Sequence, residues 1–399
     1  MSWEQRELGD LCKEITVGHV GSMATRYVPT GIPFLRSQNV QAGRVELSSL
    51  KFIDREFHVQ LRKSQLRAGD LVIVRTGEPG KAAVVPDGFG ELNCADLVIA
   101  RPNPDVSARF LSYAINETAQ AFVKAHTVGA VQQHFNVTSA KKLTLLVPPM
   151  IEQQAIVEVL GALDDKIALN ERHAETALEL AGCLYERDSA ASDFWREVAL
   201  GDTAKWLSGG TPKTSEPSYW GGGIPWISAA SLKTPWLHES ERRVTELGAR
   251  NGTRLVSKGT IIFVVRGMSL TTEFRVGVAQ REVAFGQDCK ALIPHPGIDP
   301  ATLFLAIRSQ SSRILGMVDL AGHGTGRLVT ERVASLPVRL PQGEAAAEFA
   351  ARSGALLDRA VAVTNENRTL ADLRDTLLPQ LLSGKLRVRD AVRAVEEVV

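Results

Sequence analysis

The sequence predicts an α+β protein in which two similar α+β domains are separated by two long antiparallel helices that form a coiled coil. Three observations support this prediction: a repeat of about 192 residues, strand and turn signals inside each repeat, and a heptad pattern after each repeat. A chain of 399 residues has room for two or three domains of ordinary size. The repeat implies a pseudo-two-fold organisation.

The repeat is visible in five pairs of matching segments that occur in the same order in both halves. Trp3 returns as Trp195, and Leu-Gly-Asp follows both tryptophans at the same spacing. The five pairs are 3–10 with 195–202, 31–35 with 223–227, 69–74 with 259–264, 109–111 with 303–305, and 146–148 with 339–341. Five ordered pairs indicate an internal duplication.

Within each repeat the pattern is typical of a mixed fold. The apolar runs at 71–74 and 261–265 are short enough to be buried strands, and Gly-Ile-Pro, Gly-Asp and Gly-Thr mark turns. The stretches 108–118 and 300–311 are typical of short helices. We expect a first domain at 1–148, a first long helix at 149–190, a second domain at 191–341, and a second long helix with a tail at 342–399.

Heptad patterns follow the two repeats. The first tail places apolar or small residues at Ile156, Leu160, Leu163, Ile167, Ala174, Ala177, Ala181 and Leu184, with Asn170 in the one polar position. The second tail places Phe349, Leu356, Val363, Leu370 and Leu377 seven residues apart, with Ser353, Ala360 and Asn367 between them. Each tail predicts a helix of about 35 residues, or roughly 50 Å at 1.5 Å per residue.

Neither helix can bury its apolar stripe alone, so the favoured arrangement is an antiparallel pair. The alternative is that each helix packs on its own domain. Asn170 and Asn367 could fix the register of the pair, or they could be solvated at the edge of the seam. Arg374 falls in the second seam and makes its match poorer.

Charge is distributed unevenly along the chain, although the formal net charge is only +1. Residues 1–147 hold 17 Lys and Arg against 14 Asp and Glu, and residues 195–340 hold 18 against 12. Residues 148–194 hold 3 against 10, and residues 341–399 hold 8 against 9. The two basic blocks coincide with the two predicted domains. A polyanion would therefore be attracted to the domains and repelled by the helices.

Several classes of protein are disfavoured. The four cysteines are scattered, so we expect no structural zinc and a reducing, cytoplasmic setting. No apolar run approaches the roughly 18 residues that a membrane span needs, and no N-terminal signal is evident. The segment 77–82 lacks the spacing of a phosphate-binding loop, and no dinucleotide-binding glycine motif follows a strand. Neither pattern indicates a nucleotide-binding site.

Three further motifs carry a family resemblance. The first is Gly-Gly-Thr-Pro at 209–212, followed by Tyr-Trp at 219–220. The second is Pro-Pro at 148–149, followed by Glu-Gln at 152–153 and Leu-Asp-Asp-Lys-Ile at 163–167. The third is Leu-Leu-Pro-Gln-Leu-Leu-Ser-Gly-Lys-Leu at 377–386. In this order they resemble the specificity subunits of type I restriction–modification systems, over the whole chain. The first half departs from the pattern, because it has no Gly-Gly-Thr-Pro element, and the second half has Pro-Gln-Gly-Glu at 341–344.

The resemblance implies a function in DNA methylation and restriction. The two domains would be target-recognition domains that read a bipartite, asymmetric DNA target, and the chain itself would carry no catalytic residues. Two methyltransferase subunits would bind it, and restriction subunits can join that complex. S-adenosylmethionine, ATP and Mg²⁺ would be held by those partners, and this chain would hold no cofactor.

Candidate DNA-binding residues are polar side chains in loops that follow the turn motifs, because base edges are read by such groups in the major groove. In the first domain they are Arg36, Ser37, Gln38, Asn39, Arg75, Lys81, Gln132, Gln133 and His134. In the second domain they are Lys213, Tyr219, Ser228, Ser231, Arg266, Thr271, Thr272 and Arg275. For each of them, an ordinary exposed surface position is the alternative.

Candidate partner-binding residues lie on the first long helix, where they would form outward faces. They are Glu152, Gln153, Asp164, Lys166, Glu171 and Glu175. The alternative is a solvated acidic face. Three other functions stay open on the sequence alone: a stand-alone sequence-specific DNA-binding scaffold, a scaffold built on the coiled coil that does not bind DNA, and a nuclease or methyltransferase that acts alone.

Overall fold

The computed structural model of the chain describes residues 3–47, 49–125, 135–191, 193–320 and 324–397. Up to residue 191 the strands are β1 (Glu4–Glu7), β2 (Cys12–Val17), β3 (Tyr27–Val28), β4 (Ile32–Leu35), β5 (Val40–Gln41), β6 (Arg44–Val45), β7 (Lys51–Ile53), β8 (Gln65–Leu66), β9 (Leu71–Val74), β10 (Ala82–Val84), β11 (Leu92–Cys94), β12 (Leu97–Pro102) and β13 (Thr144–Val147). The helices are α1 (Leu8–Leu11), α2 (Arg55–Gln60), α3 (Ala108–Ala125), α4 (Val137–Lys141) and α5 (Met150–Ala191).

The second half follows the same plan. Its strands are β14 (Trp195–Ala199), β15 (Ala204–Ser208), β16 (Trp220–Ile227), β17 (Trp236–Leu237), β18 (Arg243–Val244), β19 (Leu255–Val256), β20 (Ile261–Val264), β21 (Arg266–Gly267), β22 (Val276–Ala279), β23 (Val283–Phe285), β24 (Cys289–Pro294), β25 (Asp319–Leu320), β26 (Gly326–Arg327) and β27 (Pro337–Pro341). Its helices are α6 (Glu246–Gly252), α7 (Pro300–Ser309), α8 (Ser311–Leu315), α9 (Thr330–Ala334), α10 (Glu344–Leu382) and α11 (Val388–Glu396). Short 3-10 helices occupy Ser37–Asn39, Arg62–Ser64, Leu200–Asp202, Pro217–Tyr219 and Met268–Thr271.

Two compact units make up the structure, and each combines one domain with half of each long helix. Unit 1 contains Met1–Ala168 and Asn367–Val399, and unit 2 contains Leu169–Glu366. The helices α5 and α10 have 42 and 39 residues, somewhat more than the heptads alone predict. The last turns of α5 extend the helix because Tyr185 is buried in unit 2, where its hydroxyl donates to the Arg339 carbonyl oxygen.

The domain of unit 1 is built on two sheets. A four-stranded antiparallel sheet has the order β10-β9-β12-β2, and a five-stranded sheet has the order β3-β7-β4-β11-β8, in which β4 and β11 run parallel. All four side chains of β9 are buried, which explains its continuous apolar sequence. The strands β1 and β13 form a separate antiparallel pair that closes the domain next to α5.

The domain of unit 2 repeats this frame. Four of its strands have the equivalent order β22-β20-β24-β15, and β17 adds a parallel strand at the β22 edge. The second sheet, β18-β16-β23-β19, again contains one parallel pair, between β16 and β23. The strands β14 and β27 pair as β1 and β13 do. The α+β class and the internal repeat are therefore confirmed.

Burial of the helix seams confirms the antiparallel pairing. In unit 1, buried seam residues of α5 and α10 share one apolar cluster with the domain core residue Phe110; they include Ile156, Leu163, Leu370 and Leu377. In unit 2, the corresponding residues include Ala177, Ala181, Phe349 and Ala360. The long helices therefore pack against each other and also against the domains. The antiparallel pair and the packing of helices on domains occur together.

Polar contacts along the seam give the direction and the register of the pair. In unit 1, Asn367 Nδ2 donates to the Ile167 carbonyl oxygen at 3.0 Å. In unit 2, the buried Asn170 donates through Nδ2 to Glu366 Oε2 at 3.0 Å. Both asparagines therefore bond across the helix pair, as a role in register requires, and Asn170 is not solvated.

We expect Leu163→Ala to destabilise the protein by about 2–5 kcal/mol, because it leaves a cavity in a core that closes on all sides of this residue. Leu163 is 1% exposed, whereas Leu169 on the same helix is 39% exposed. The matched control Leu169→Ala should change stability by roughly 1 kcal/mol or less. Urea unfolding followed by far-ultraviolet circular dichroism measures both variants, and equal losses would contradict the seam assignment.

Candidate nucleic-acid interface

In the first domain, polar loop side chains line one cleft. Arg36, Ser37 and Gln38 follow β4, and Lys81 precedes β10 across the cleft. The turn between β11 and β12 closes the cleft with Asp96, which has a left-handed backbone conformation (φ 53°) that a short polar residue tolerates. The two sheets therefore bring together loops that are about 15 to 60 residues apart in the sequence.

The cations of this cleft are already engaged by carboxylates and amides. Arg75, which lies beside the cleft, donates through Nη1 to Asp96 Oδ1 at 2.6 Å, and Lys81 Nζ donates to Glu78 Oε2 at 2.7 Å. Lys81 also reaches Gln41 Oε1 at 3.1 Å. The cleft thus offers both donors and acceptors, which suits a base edge better than a phosphate, because the carboxylates would repel an anion.

The prediction that Asn39 contacts DNA is wrong for this structure. The Asn39 side chain is fully buried, with Oδ1 accepting from the Arg36 N–H at 3.1 Å and Nδ2 donating to the Glu46 carbonyl oxygen at 3.3 Å. It holds the turn that presents Arg36 and cannot itself reach a base in this structure. The predicted residues Gln132, Gln133 and His134 lie outside the described residues.

In the second domain, one group of predicted residues comes together beside the end of β16. Ser228 and Ser231 form a turn, in which the N–H of Ser228 donates to Ser231 Oγ at 2.8 Å and the N–H of Ser231 donates to Ser228 Oγ at 3.1 Å. Arg275 ties this turn to the β20–β22 connection, because its Nη1 donates to the Ala229 carbonyl oxygen at 3.3 Å.

That connection carries the remaining members of the group. Arg266 is exposed on β21, and Thr271 and Thr272 are exposed at the end of the 3-10 helix. The hydroxyl of Thr271 donates to the Met268 carbonyl oxygen at 2.7 Å, which leaves its lone pairs free to accept. The structure therefore unites Ser228, Ser231, Arg266, Thr271, Thr272 and Arg275.

Lys213 and Tyr219 lie elsewhere, at the start of β16. The carbonyl oxygen of Lys213 accepts from Trp220 Nε1 at 3.2 Å, and that of Tyr219 accepts from the Thr245 N–H at 3.0 Å. A Cβ at Gly210 would lie 2.2 Å from the Gly252 carbonyl oxygen, so the Gly-Gly-Thr-Pro element packs backbone against backbone. The structure does not bring these two residues into the group around β21.

Several residues of these surfaces are not among those that the sequence predicts. Asp96 and Glu78 line the first cleft, and Arg242 stacks on Trp220 with its guanidinium carbon 3.7 Å from the ring centroid. The only sequence signal for Asp96 is a polar residue between two apolar strands. No signal identifies Arg242, because its contact follows from the pairing of β16 with β18.

The prediction that Gln153 lies on an outward face of α5 is also wrong. Gln153 is 2% exposed, its Oε1 accepts from the Ser107 N–H at 2.9 Å, and its Nε2 donates to the Pro148 carbonyl oxygen at 2.9 Å. Its amide fastens the start of α5 to the domain of unit 1. Glu152 beside it accepts from Trp3 Nε1 at 3.0 Å.

Asp164 faces inward as well. Its Oδ2 accepts from the Tyr113 hydroxyl at 2.5 Å and its Oδ1 from Arg374 Nη1 at 3.0 Å, so one carboxylate joins α3, α5 and α10. Burial, and next the charge of Asp164, raise the pKa of Tyr113 above its usual range. Lys166 is half-buried, and Glu171 and Glu175 are the exposed members of the predicted set.

In the described part of the chain, no group of three or more His, Cys, Asp or Glu side chains is placed to bind a metal ion. Burial raises the pKa of Cys12 and that of Cys289 to about 12, so both stay protonated thiols. Among the described residues, no helix is both long and apolar enough to cross a membrane.

Comparison with known proteins identifies the family. The model of the type I restriction modification DNA specificity domain matches residues 1–180 and again residues 193–352. The specificity subunit of the type I restriction enzyme EcoR124I/EcoR124II from Escherichia coli is 29% identical over 211 residues, which cover 51% of this chain and about half, 52%, of that relative.

Two other proteins align over almost the whole chain. The HindI specificity subunit from Haemophilus influenzae is 20% identical, with 96% of this chain and 99% of that protein covered. The crystal structure of a type I S subunit from M. genitalium shares the fold at a TM-score of 0.58 and 16% identity, with 96% of each chain covered. Because the family model matches both halves of the duplication, the chain belongs to the family of type I restriction–modification specificity subunits.

Proposed function

We propose that this chain reads a bipartite, asymmetric DNA target and positions methyltransferase subunits on it. The observation that carries the proposal is the duplicated frame: the specificity-domain model matches twice, and each copy presents its own group of polar loop side chains. One copy would contact one half of the target. DNA would be attracted to both domains by their excess of Lys and Arg.

The two groups differ in chemistry, which favours two different half-sites. The first cleft combines Lys81 and Arg36 with the carboxylates of Asp96 and Glu78, and a carboxylate can accept from the amino group of cytosine. The group beside β21 consists of hydroxyls and arginines, which suit guanine and phosphate. A target with two unrelated halves follows from this difference.

The chain would contribute recognition and no chemistry of its own. Two methyltransferase subunits would supply S-adenosylmethionine and swing the target base out of the stack, a step that costs a few kcal/mol. Restriction subunits, where they join, would bring ATP and Mg²⁺. On α5, Glu171 and Glu175 are the exposed members of the predicted set and would contact a methyltransferase subunit, whereas Gln153 is buried.

We expect the purified full chain to bind mixed-sequence duplex DNA. The logarithm of its binding constant should fall linearly with the logarithm of the salt concentration, at a slope of about −0.9 per phosphate contact. Fluorescence anisotropy between roughly 50 and 200 mM salt measures the slope. The same preparation should neither cleave DNA nor transfer a methyl group. Cleavage or methyl transfer by the chain alone would favour a stand-alone enzyme, and a lack of DNA binding would favour a scaffold unrelated to DNA.

We expect Asp96→Asn to alter the base preference at one position of one half-site by roughly tenfold, because an acceptor-only group becomes one that also donates. Asparagine tolerates the left-handed backbone of this position, so the turn should persist. Selection from randomised duplexes followed by sequencing measures the preference. Asp87→Asn, on the exposed turn before β11, is the matched control. Identical selected sequences for both variants would exclude the cleft from base reading.

We expect the long helices to set the spacing of the two half-sites. One additional heptad in both α5 and α10 preserves the seam and lengthens each helix by about 10 Å, which corresponds to roughly three base pairs. The selected target should then gain about three base pairs between its halves, at unchanged half-site sequences. An unchanged spacer in the lengthened protein would contradict this role of the helices.

A further inference from the structure

The three-stranded sheet β21-β26-β25 places two arginines directly opposite each other. Arg266 on β21 pairs with Arg327 on β26, and Arg327 in turn pairs with Asp319 on β25. Opposite residues of antiparallel strands project from the same face, so both guanidinium groups leave the sheet on one side. Both arginines are exposed.

This pairing is unfavourable by itself, because like charges opposite each other destabilise a sheet. Within the described ranges, neither arginine has a carboxylate at ion-pair distance. Asp319 is the nearest candidate by register, but it accepts from Arg332 Nη1 at 3.2 Å instead. The carboxylate of Glu273 is engaged by Arg275. In the described part of the chain, the two neighbouring arginines therefore make no ion-pair contact with a carboxylate of their own.

The opposite face of the sheet is anchored, so the arginines stand on a fixed support. Gly326 is buried, and a Cβ there would lie 2.7 Å from Leu270 Cβ and 2.9 Å from Val318 Cγ1. The N–H of Leu328 donates to the Val265 carbonyl oxygen at 2.9 Å, which joins β26 to the end of β20. Packing on this face therefore holds together the strand backbones that carry the two arginines.

The sheet β21-β26-β25 lies next to the predicted DNA-binding residues of the second domain. A Cβ at Gly267 would lie 3.6 Å from Ala229 Cβ, so β21 borders the turn that contains Ser228 and Ser231. Thr271 and Thr272 are exposed on the segment that follows β21. The arginine pair thus lies beside side chains that could reach base edges.

We propose that Arg266 and Arg327 together bind the phosphodiester backbone of DNA next to the second half-site. Two forked guanidinium groups on one face match the oxygens of a phosphate, and the anion would remove the repulsion between them. A guanine edge needs only one guanidinium and gives no reason for a second cation opposite it. This inference rests on the proposed DNA-reading function, and it assigns Arg266 to backbone binding rather than to base reading.

The test uses the full chain with the double variant Arg266→Gln/Arg327→Gln. Binding of duplexes of several unrelated sequences is measured by fluorescence anisotropy across a salt series. We expect weaker binding to all sequences and a salt slope smaller by about 1 or more, because each lost phosphate contact removes about 0.9 from the slope. Arg250→Gln on α6, where Arg250 pairs with Glu246, is the control for a lost exposed charge, and its slope should not change.

A second measurement separates a binding defect from misfolding. Without DNA, the thermal unfolding midpoint of the double variant should equal or exceed that of the unaltered chain, since a like-charge pair has been removed. A slope equal to that of the Arg250→Gln control would overturn the inference while the proposed function stands. A changed base preference at an unchanged slope would also overturn it, in favour of base reading. If the unaltered chain binds no DNA, the proposed function itself fails.

Discussion

Burial of one apolar stripe on each long helix is the constraint on which the structure depends. A helix with a single apolar stripe is unstable in water unless the stripe meets another surface, and each fully buried leucine contributes about 1.5–3 kcal/mol when it does. In both units the seams of α5 and α10 meet each other and the domain core in one continuous cluster. The helices and the domains therefore form one cooperative core in each unit.

Polar groups inside these clusters explain why several plausible contact residues turned out to be structural. A buried amide or carboxylate costs about 1–3 kcal/mol if it loses its partners, so it has to be satisfied within the protein. Gln153 is satisfied by the domain of unit 1, Asp164 by that domain and by α10, and Asn170 by Glu366. Gln153 and Asp164 specify how helix and domain meet, and Asn170 specifies how the two long helices meet.

The two domains share their strand order but not the chemistry of their loops. The order of four strands in the first sheet and the parallel pair in the second sheet recur in both copies, because backbone pairing and buried apolar strands tolerate little change. The loops that follow β4 and β16 carry different side chains, since surface loops vary without loss of the core. A duplicated frame with divergent loops is a suitable scaffold for reading two unrelated DNA sequences.

The sequence by itself determined the α+β class, the duplication and the helix seams, because periodicity and repeated turn motifs are local properties that a single chain displays. Only the tertiary structure decided which polar residues are accessible. Asn39 and Gln153 look like any other polar residue in the sequence, but their burial depends on chain segments that pack over them. The pairing of Arg266 with Arg327 joins strands about 60 residues apart, and cross-strand register at such separation is set by the sheet, not by local pattern.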